Sequence, residues 1–128
     1  MVLTHKIICG DCIEVMEEME SDSVDLIVTD PPYGINKAEW DKGIDFFNLI
    51  DRIYPQFVRI LKEQCLAFIW FPKKKLYELY KLNFKFNVFI EIKNFAQVRT
   101  DDFFVDAWVP ILMIRKGNKR IKAKGGKN

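Results

Sequence analysis

Residues 26–35, LIVTDPPYGI, constrain the fold more than any other stretch of the chain. Four apolar or β-branched residues run into Asp30, which is followed at once by Pro31, Pro32, Tyr33 and Gly34. Proline has no backbone N–H and holds φ near −65°, so two in succession end sheet pairing and stiffen the turn. The residue before a proline is pushed into extended geometry, which constrains Asp30 and Pro31 together. The segment therefore reads as a strand that stops abruptly. Its tip presents a carboxylate, a carbonyl oxygen and a flat ring, a set suited to holding something planar.

The flanking sequence gives that strand neighbours. HKIICG (5–10) reads as a short strand, and DCIEVMEEME (11–20) as a helix with Cys12, Val15, Met16 and Met19 along one face. VDLIVTD (24–30) is the strand of the proline turn, and INKAEWDKG (35–43) has no sustained period and reads as a loop able to form a lid. From Ile44 a helical period returns through Phe47, Ile50, Ile53, Tyr54, Phe57, Val58 and Leu61, with Pro55 expected to kink or divide it. CLAFIWF (65–71) has the unbroken apolar character of a strand covered on both faces, and Pro72 fits the first turn of a helix over 72–82. NVFIEIK (87–93) and WVPILMIRK (108–116) are the later strands. Pro110 points to an edge or a bulge, and 94–107 reads as loop.

Alternating strands and helices predict an α/β fold with a mainly parallel sheet and flanking helices. In such sheets ligands sit beyond the carboxyl ends of strands, where Asp30 to Tyr33 fall.

At 128 residues the chain has room for one compact domain. No apolar run approaches the ~20 residues that cross a bilayer, and the N-terminus lacks the pattern of a secretion signal. A cytoplasmic protein without membrane contact is expected. The three cysteines, Cys9, Cys12 and Cys65, argue against a disulfide framework. CGDC has the spacing of redox and zinc motifs, but only Cys65 and His5 remain to complete a metal site. No metal is expected, and His5 reads as an ordinary edge residue.

The net charge of +2 hides an asymmetry: residues 115–128 hold seven Lys or Arg and no acid, leaving 13 basic against 18 acidic residues elsewhere. Such a tail either attracts a polyanion such as DNA, with salt-dependent affinity, or is simply solvated.

VDLIVTDPPYG resembles the catalytic segment of S-adenosylmethionine-dependent amino-methyltransferases of DNA, the N6-adenine and N4-cytosine family of Asp-Pro-Pro-Tyr type. GDCIEVMEEMESDSVDLIVTDPPYG (10–34) is similar to that family's order of Gly-Asp strand end, helix and catalytic strand. RILKEQCLAFIWF (59–71) resembles the next helix and strand, with KEQC standing where the family turns through Pro-Gly-Gly. NVFIEIKNF and WVPILMIRKG resemble later strands, so the likeness covers 6–117.

The resemblance implies a partial Rossmann-like methyltransferase fold over 1–117. Residues 118–128 would then be a basic tail or the start of a recognition region. It also implies S-adenosylmethionine as cofactor, DNA as partner, and methylation of the kind found in restriction–modification systems. Asp30, Pro31, Pro32 and Tyr33 take the catalytic positions, and Asp11 and Asp30 the cofactor-binding ones. Asp11 would lie near the cofactor's adenine, and it equally reads as a helix N-cap. Trp40 and Trp70 are candidates for the base pocket or for core and lid packing.

The chemistry fits those residue types. A nucleobase amine has its lone pair delocalised into the ring and is a poor nucleophile. Two acceptors, the Asp30 carboxylate and the Pro31 carbonyl, can take its N–H bonds and favour a pyramidal nitrogen facing a methyl donor. Reacting atoms must be held ~3–3.5 Å apart. Extruding the base costs about a few kcal/mol. Stacking on Tyr33 contributes ~1–3 kcal/mol and a hydrogen bond to a charged acceptor ~1.5–3 kcal/mol, which together roughly offset it.

No Gly-x-Gly follows a strand in residues 1–114, although the resemblance implies a glycine-rich loop for the methionine part of the cofactor. The sequence therefore reads as the catalytic half of such an enzyme. It is either split and completed by a second polypeptide, truncated, or completed by a second copy, and S-adenosylmethionine should bind this chain alone weakly. Asp at the first motif position favours adenine N6. The alternatives are a noncatalytic nucleic-acid-binding remnant, or methylation of RNA adenine or a protein glutamine amide.

Overall fold

The computed structural model describes residues 4–36, 38–97 and 106–117. Helix α1 (Cys12–Glu17) precedes strand β1 (Val24–Thr29), helix α2 (Phe46–Ile60), and strands β2 (Leu61–Trp70), β3 (Asn87–Gln97) and β4 (Asp106–Arg115). The sheet order is β1-β2-β4-β3. β1 and β2 are parallel, while β4 is antiparallel to both β2 and β3. Three strands thus point one way and β4 alone is reversed, giving a mixed α/β sheet with flanking helices.

α2 covers one face. Asp45 caps it, its Oδ1 accepting the N–H groups of Phe47 (3.0 Å) and Asn48 (3.3 Å). Its buried stripe, Phe46, Phe47, Ile50, Ile53, Phe57 and Ile60, packs in one cluster with Ala67 and Ile69 of β2 and Leu112 and Ile114 of β4. Each of the Phe, Ile and Leu side chains is worth about 1.5–3 kcal/mol of burial. Pro55 neither ends nor divides this helix. It lies on the exposed side with Asp51, whose carbonyl loses its helical donor but faces water, and the buried stripe holds both turns to the core.

α1 is shorter than its sequence pattern and is rotated. Ile13 and Met16 are buried, Val15 and Met19 half-buried, and Cys12 exposed. Arg59 of α2 fixes its end: the guanidinium donates to the carbonyls of Met19 (2.7 Å) and Met16. Residues 5–10 are not a strand; Ile7 is 98% exposed. A strand requires a partner for its backbone groups, and none pairs with this segment among the described residues.

The helix expected over 72–82 is a 3₁₀ helix, Lys73–Lys81. Leu76 and Leu79 pack on the core and Leu82 is buried, a three-residue spacing that suits three residues per turn. β2 begins earlier than expected, but its register slips between the Val24–Leu61 and Leu26–Leu66 pairs. Gln64, within KEQC, takes a left-handed φ of 68° to make that bulge.

Pro110 is neither at an edge nor in a bulge: it is buried in β4, between β2 and β3. Its carbonyl accepts from Phe71 N at 3.0 Å, just where β2 leaves the sheet, so its missing N–H faces the side that no longer pairs. β3 and β4 extend into the stretch read as loop, to Gln97 and from Asp106.

The other face of the sheet is uncovered among the described residues. Leu26 and Val28 of β1 stand beside Leu66 and Phe68 of β2, and the Phe68 ring meets Phe89 of β3 edge-on at 6.4 Å. Val28 is 58% and Phe89 49% exposed. The outer edge of β1 has no partner strand among the described residues.

Of the seven tail cations, Arg115 and Lys116 serve the fold. Arg115 donates to Gln64, and Lys116 Nζ meets Leu61 O at 2.7 Å and Asp22 at 2.6 Å. The remaining five fall in 118–128, outside the described residues. Among the described residues no helix is long and apolar enough to cross a membrane.

Candidate active site

The tip of β1 opens into a cleft of about 180 Å³ lined by Asp30, Pro31, Pro32, Tyr33, Ile35, Trp40 and Asp41. Small-molecule pockets begin at roughly 300 Å³, so the cleft suits one ring system rather than a nucleoside cofactor and a base together. The four residues that the sequence placed at the strand tip line it together.

Tyr33 is half-buried, with its ring edge-on to Phe46 at 6.0 Å. Phe46 in turn meets Phe71 at 5.0 Å, which ties the ring to the core. The Tyr33 hydroxyl donates to Asp30 Oδ1 at 2.5 Å. Burial first, then this bond and the negative charge of Asp30, push the Tyr33 phenol well above its ordinary range. The hydroxyl therefore stays protonated and occupies one of the two carboxylate oxygens.

Asp41 was not legible as part of the site. It ends a 3₁₀ turn, Glu39–Asp41, in the segment read as loop, and is 2% exposed. Its Oδ1 accepts Gly34 N at 2.7 Å and its Oδ2 accepts Ile35 N at 2.8 Å. Gly34 is required by geometry: φ is +68°, and an added Cβ would lie 1.9 Å from the Ile44 carbonyl oxygen.

Trp40 is 70% exposed at the lip of the cleft, not in the core. Trp70 is half-buried outside the cleft lining, its Nε1 donating to Glu91 Oε2 at 2.9 Å. Asp11 caps α1, accepting Ile13 N at 2.8 Å, and does not line the cleft. Partial burial and the Asp11 charge push the Cys12 thiol up, against the thiolate character a redox CGDC would need. Among the described residues no group of His, Cys, Asp and Glu could hold a metal ion.

Curated relatives include the type II methyltransferase M.HpaI of Haemophilus parainfluenzae, 31% identical over 88 residues, or 62% of this chain and 27% of that one. The type II methyltransferase M.BamHI of Bacillus amyloliquefaciens is 33% identical over 90 residues, 64% of this chain and 21% of that one. The chain thus spans about a quarter of the length of these relatives. A Thermus thermophilus protein described as a DNA modification methylase superposes with a TM-score of 0.59 at 25% identity, covering 90% of this chain and 56% of that one. Its complex with S-adenosyl-L-methionine gives a TM-score of 0.59 at 24% identity, a likeness of fold. The sequence pattern of the N6/N4 methylases, described as DNA methylase, matches residues 24–126, most of the chain, and the protein belongs to that family.

Proposed function

We propose that the chain is the catalytic part of an S-adenosylmethionine-dependent DNA methyltransferase acting on the exocyclic amine of an extruded base, adenine N6. The observation that carries this reading is the cleft at the β1 tip, where Asp30, Pro31, Pro32 and Tyr33 line one small space. Asp30 and the Pro31 carbonyl accept the amine's two N–H bonds, and Tyr33 offers its ring to the base. With Oδ1 holding the Tyr33 hydroxyl, Asp30 meets the amine through Oδ2, or the hydroxyl turns away as the base enters.

S-adenosylmethionine, when bound, supplies an electrophilic methyl group. The residues present fit part of it: Asp11 and Asp30 are exposed carboxylates suited to its hydroxyl and amino groups, and no glycine-rich strand turn is present in residues 1–114. The chain is part of a split or truncated enzyme, and the rest of the pocket comes from further sequence, a second polypeptide or a second copy. The apolar face and the β1 edge, uncovered among the described residues, support this, because contiguous exposed apolar surface marks interaction sites.

The test is methylation of duplex DNA with radiolabelled cofactor by the completed assembly. Asp30→Ala should abolish methyl transfer without loss of fold, because its carboxylate stands at an exposed strand tip and its removal opens no core cavity. Near-normal turnover in that variant would remove the catalytic assignment. Calorimetric titration of the isolated chain should show weak binding of S-adenosylmethionine; a low-micromolar constant would mean that this chain already carries the whole pocket.

A further inference from the structure

The proline turn has an anchoring problem that the sequence hides. Pro31 and Pro32 carry no N–H, so neither can donate a hydrogen bond that ties the apex of the turn to anything else. Gly34 and Ile35, just beyond Tyr33, do carry N–H groups, and both donate to the single carboxylate of Asp41, at 2.7 and 2.8 Å. Two successive backbone N–H groups converging on one anion form the same arrangement as backbone anion nests. Here the anion is internal and 2% exposed.

We infer that Asp41 is the positioning residue of the catalytic turn. Its carboxylate fixes the two peptide planes that follow Tyr33. With the Phe46 contact on the other side, it thereby sets the direction in which the Tyr33 ring meets an entering base. This rests on the proposed base-holding role of the cleft. Charge-assisted bonds are shorter and stronger than neutral ones, which suits a clamp that must hold while the base is exchanged. Asparagine in its place keeps one acceptor but turns an NH₂ group towards the other backbone N–H, so one half of the clamp becomes repulsive. A misplacement of about 1 Å at a reacting centre costs on the order of 100-fold in rate, so a loosened turn has a functional effect larger than its effect on the fold.

The probe is a single-stranded oligonucleotide carrying one 2-aminopurine, whose fluorescence falls when the base stacks on an aromatic ring. Fluorescence anisotropy of the same strand, labelled at its end, reports total binding. The native chain should quench the probe, and Tyr33→Ala should bind the strand without quenching it. Asp41→Asn should still bind the strand, as read by anisotropy, while its quenching at saturating protein falls about tenfold or more. Asp41→Gly should quench poorly in sodium chloride and recover in sodium formate, which returns two acceptor oxygens to the vacated site. Asp41→Asn quenching to the native extent at saturation, or no recovery of Asp41→Gly in formate, overturns the role of Asp41. Absence of quenching by the native chain, or quenching by Tyr33→Ala equal to the native, overturns the base-holding reading itself and this inference with it.

Discussion

Among the described residues the sheet has one covered face and one uncovered face, built from the same strands. On the α2 side Ala67, Ile69 and Leu112 are fully buried and interlock with Phe46 and Ile50. On the opposite side Leu66 and Phe68 of β2 are half-buried, and Val28 of β1 and Phe89 of β3 are about half exposed. In β2 and β4 buried and half-buried side chains alternate, so both faces are apolar by sequence; on β3 the α2-side residues Val88 and Ile90 are 42% and 61% exposed, so the cover of α2 stops at β4. Asp30 leaves β1 at the junction of the two conditions: its turn is clamped by the covered side through Phe46, and its strand is open along the uncovered edge. A sheet covered on one face can therefore hold a well-defined site, provided that the site is anchored to the covered face.

The sharpest way to break this contrast is to truncate one ring on each face. Phe46→Ala should cost about 3–5 kcal/mol in urea unfolding, because it empties a fully buried position. Phe89→Ala should stay within about 0.5 kcal/mol, as expected for a surface position. Equal losses would mean that the Phe89 face is covered in solution.

Next in size is Gly34→Ala. The left-handed conformation alone costs an ordinary residue about 1–2 kcal/mol, and the Cβ would overlap the Ile44 carbonyl oxygen at 1.9 Å. A loss above about 2 kcal/mol is expected, read by the same unfolding curves; a neutral result would show that the turn is not clamped to the covered side.

The smallest effect sharpens the junction. The Tyr33 phenol is raised above its unfolded value, so the unfolded chain releases that proton first as pH rises. Its contribution to stability is complete below pH ~10, the ordinary phenol value, and is lost progressively above it. Tyr33→Phe should flatten that alkaline slope in a pH series of thermal midpoints. An unchanged slope would mean that the hydroxyl is not held by Asp30.

Much of this was readable in the residues. LIVTDPP specifies a strand and its end because β-branching and proline act locally, and the stripe from Phe47 to Phe57 specifies α2 because its period is long enough to be unambiguous. HKIIC has the composition of a strand, but strand formation depends on a partner that composition cannot supply. Pro110 was misplaced for a related reason: whether a missing N–H matters depends on where the neighbouring strand stops. Lys73–Lys81 has a period between two helix types, and only the contacts of Leu76 and Leu79 decide it. At the site, Asp30 to Tyr33 announce themselves by adjacency. Asp41 does not, because its role lies in two hydrogen bonds to backbone atoms, which leave no trace in side-chain pattern.

The Arg59 tie has a consequence for the order of events during folding. α1 has only six residues, too few to persist alone in water, and its last carbonyls are held by a guanidinium about 40 residues downstream. On a nascent chain α1 must wait for α2 to be synthesised and wound before it can settle. Asp11, at its first turn, waits with it. Hydrogen exchange should follow the same order, with the Val15 and Met16 amides opening well before those of Ile53 and Phe57. The α1 segment is therefore made before α2 and folded after it.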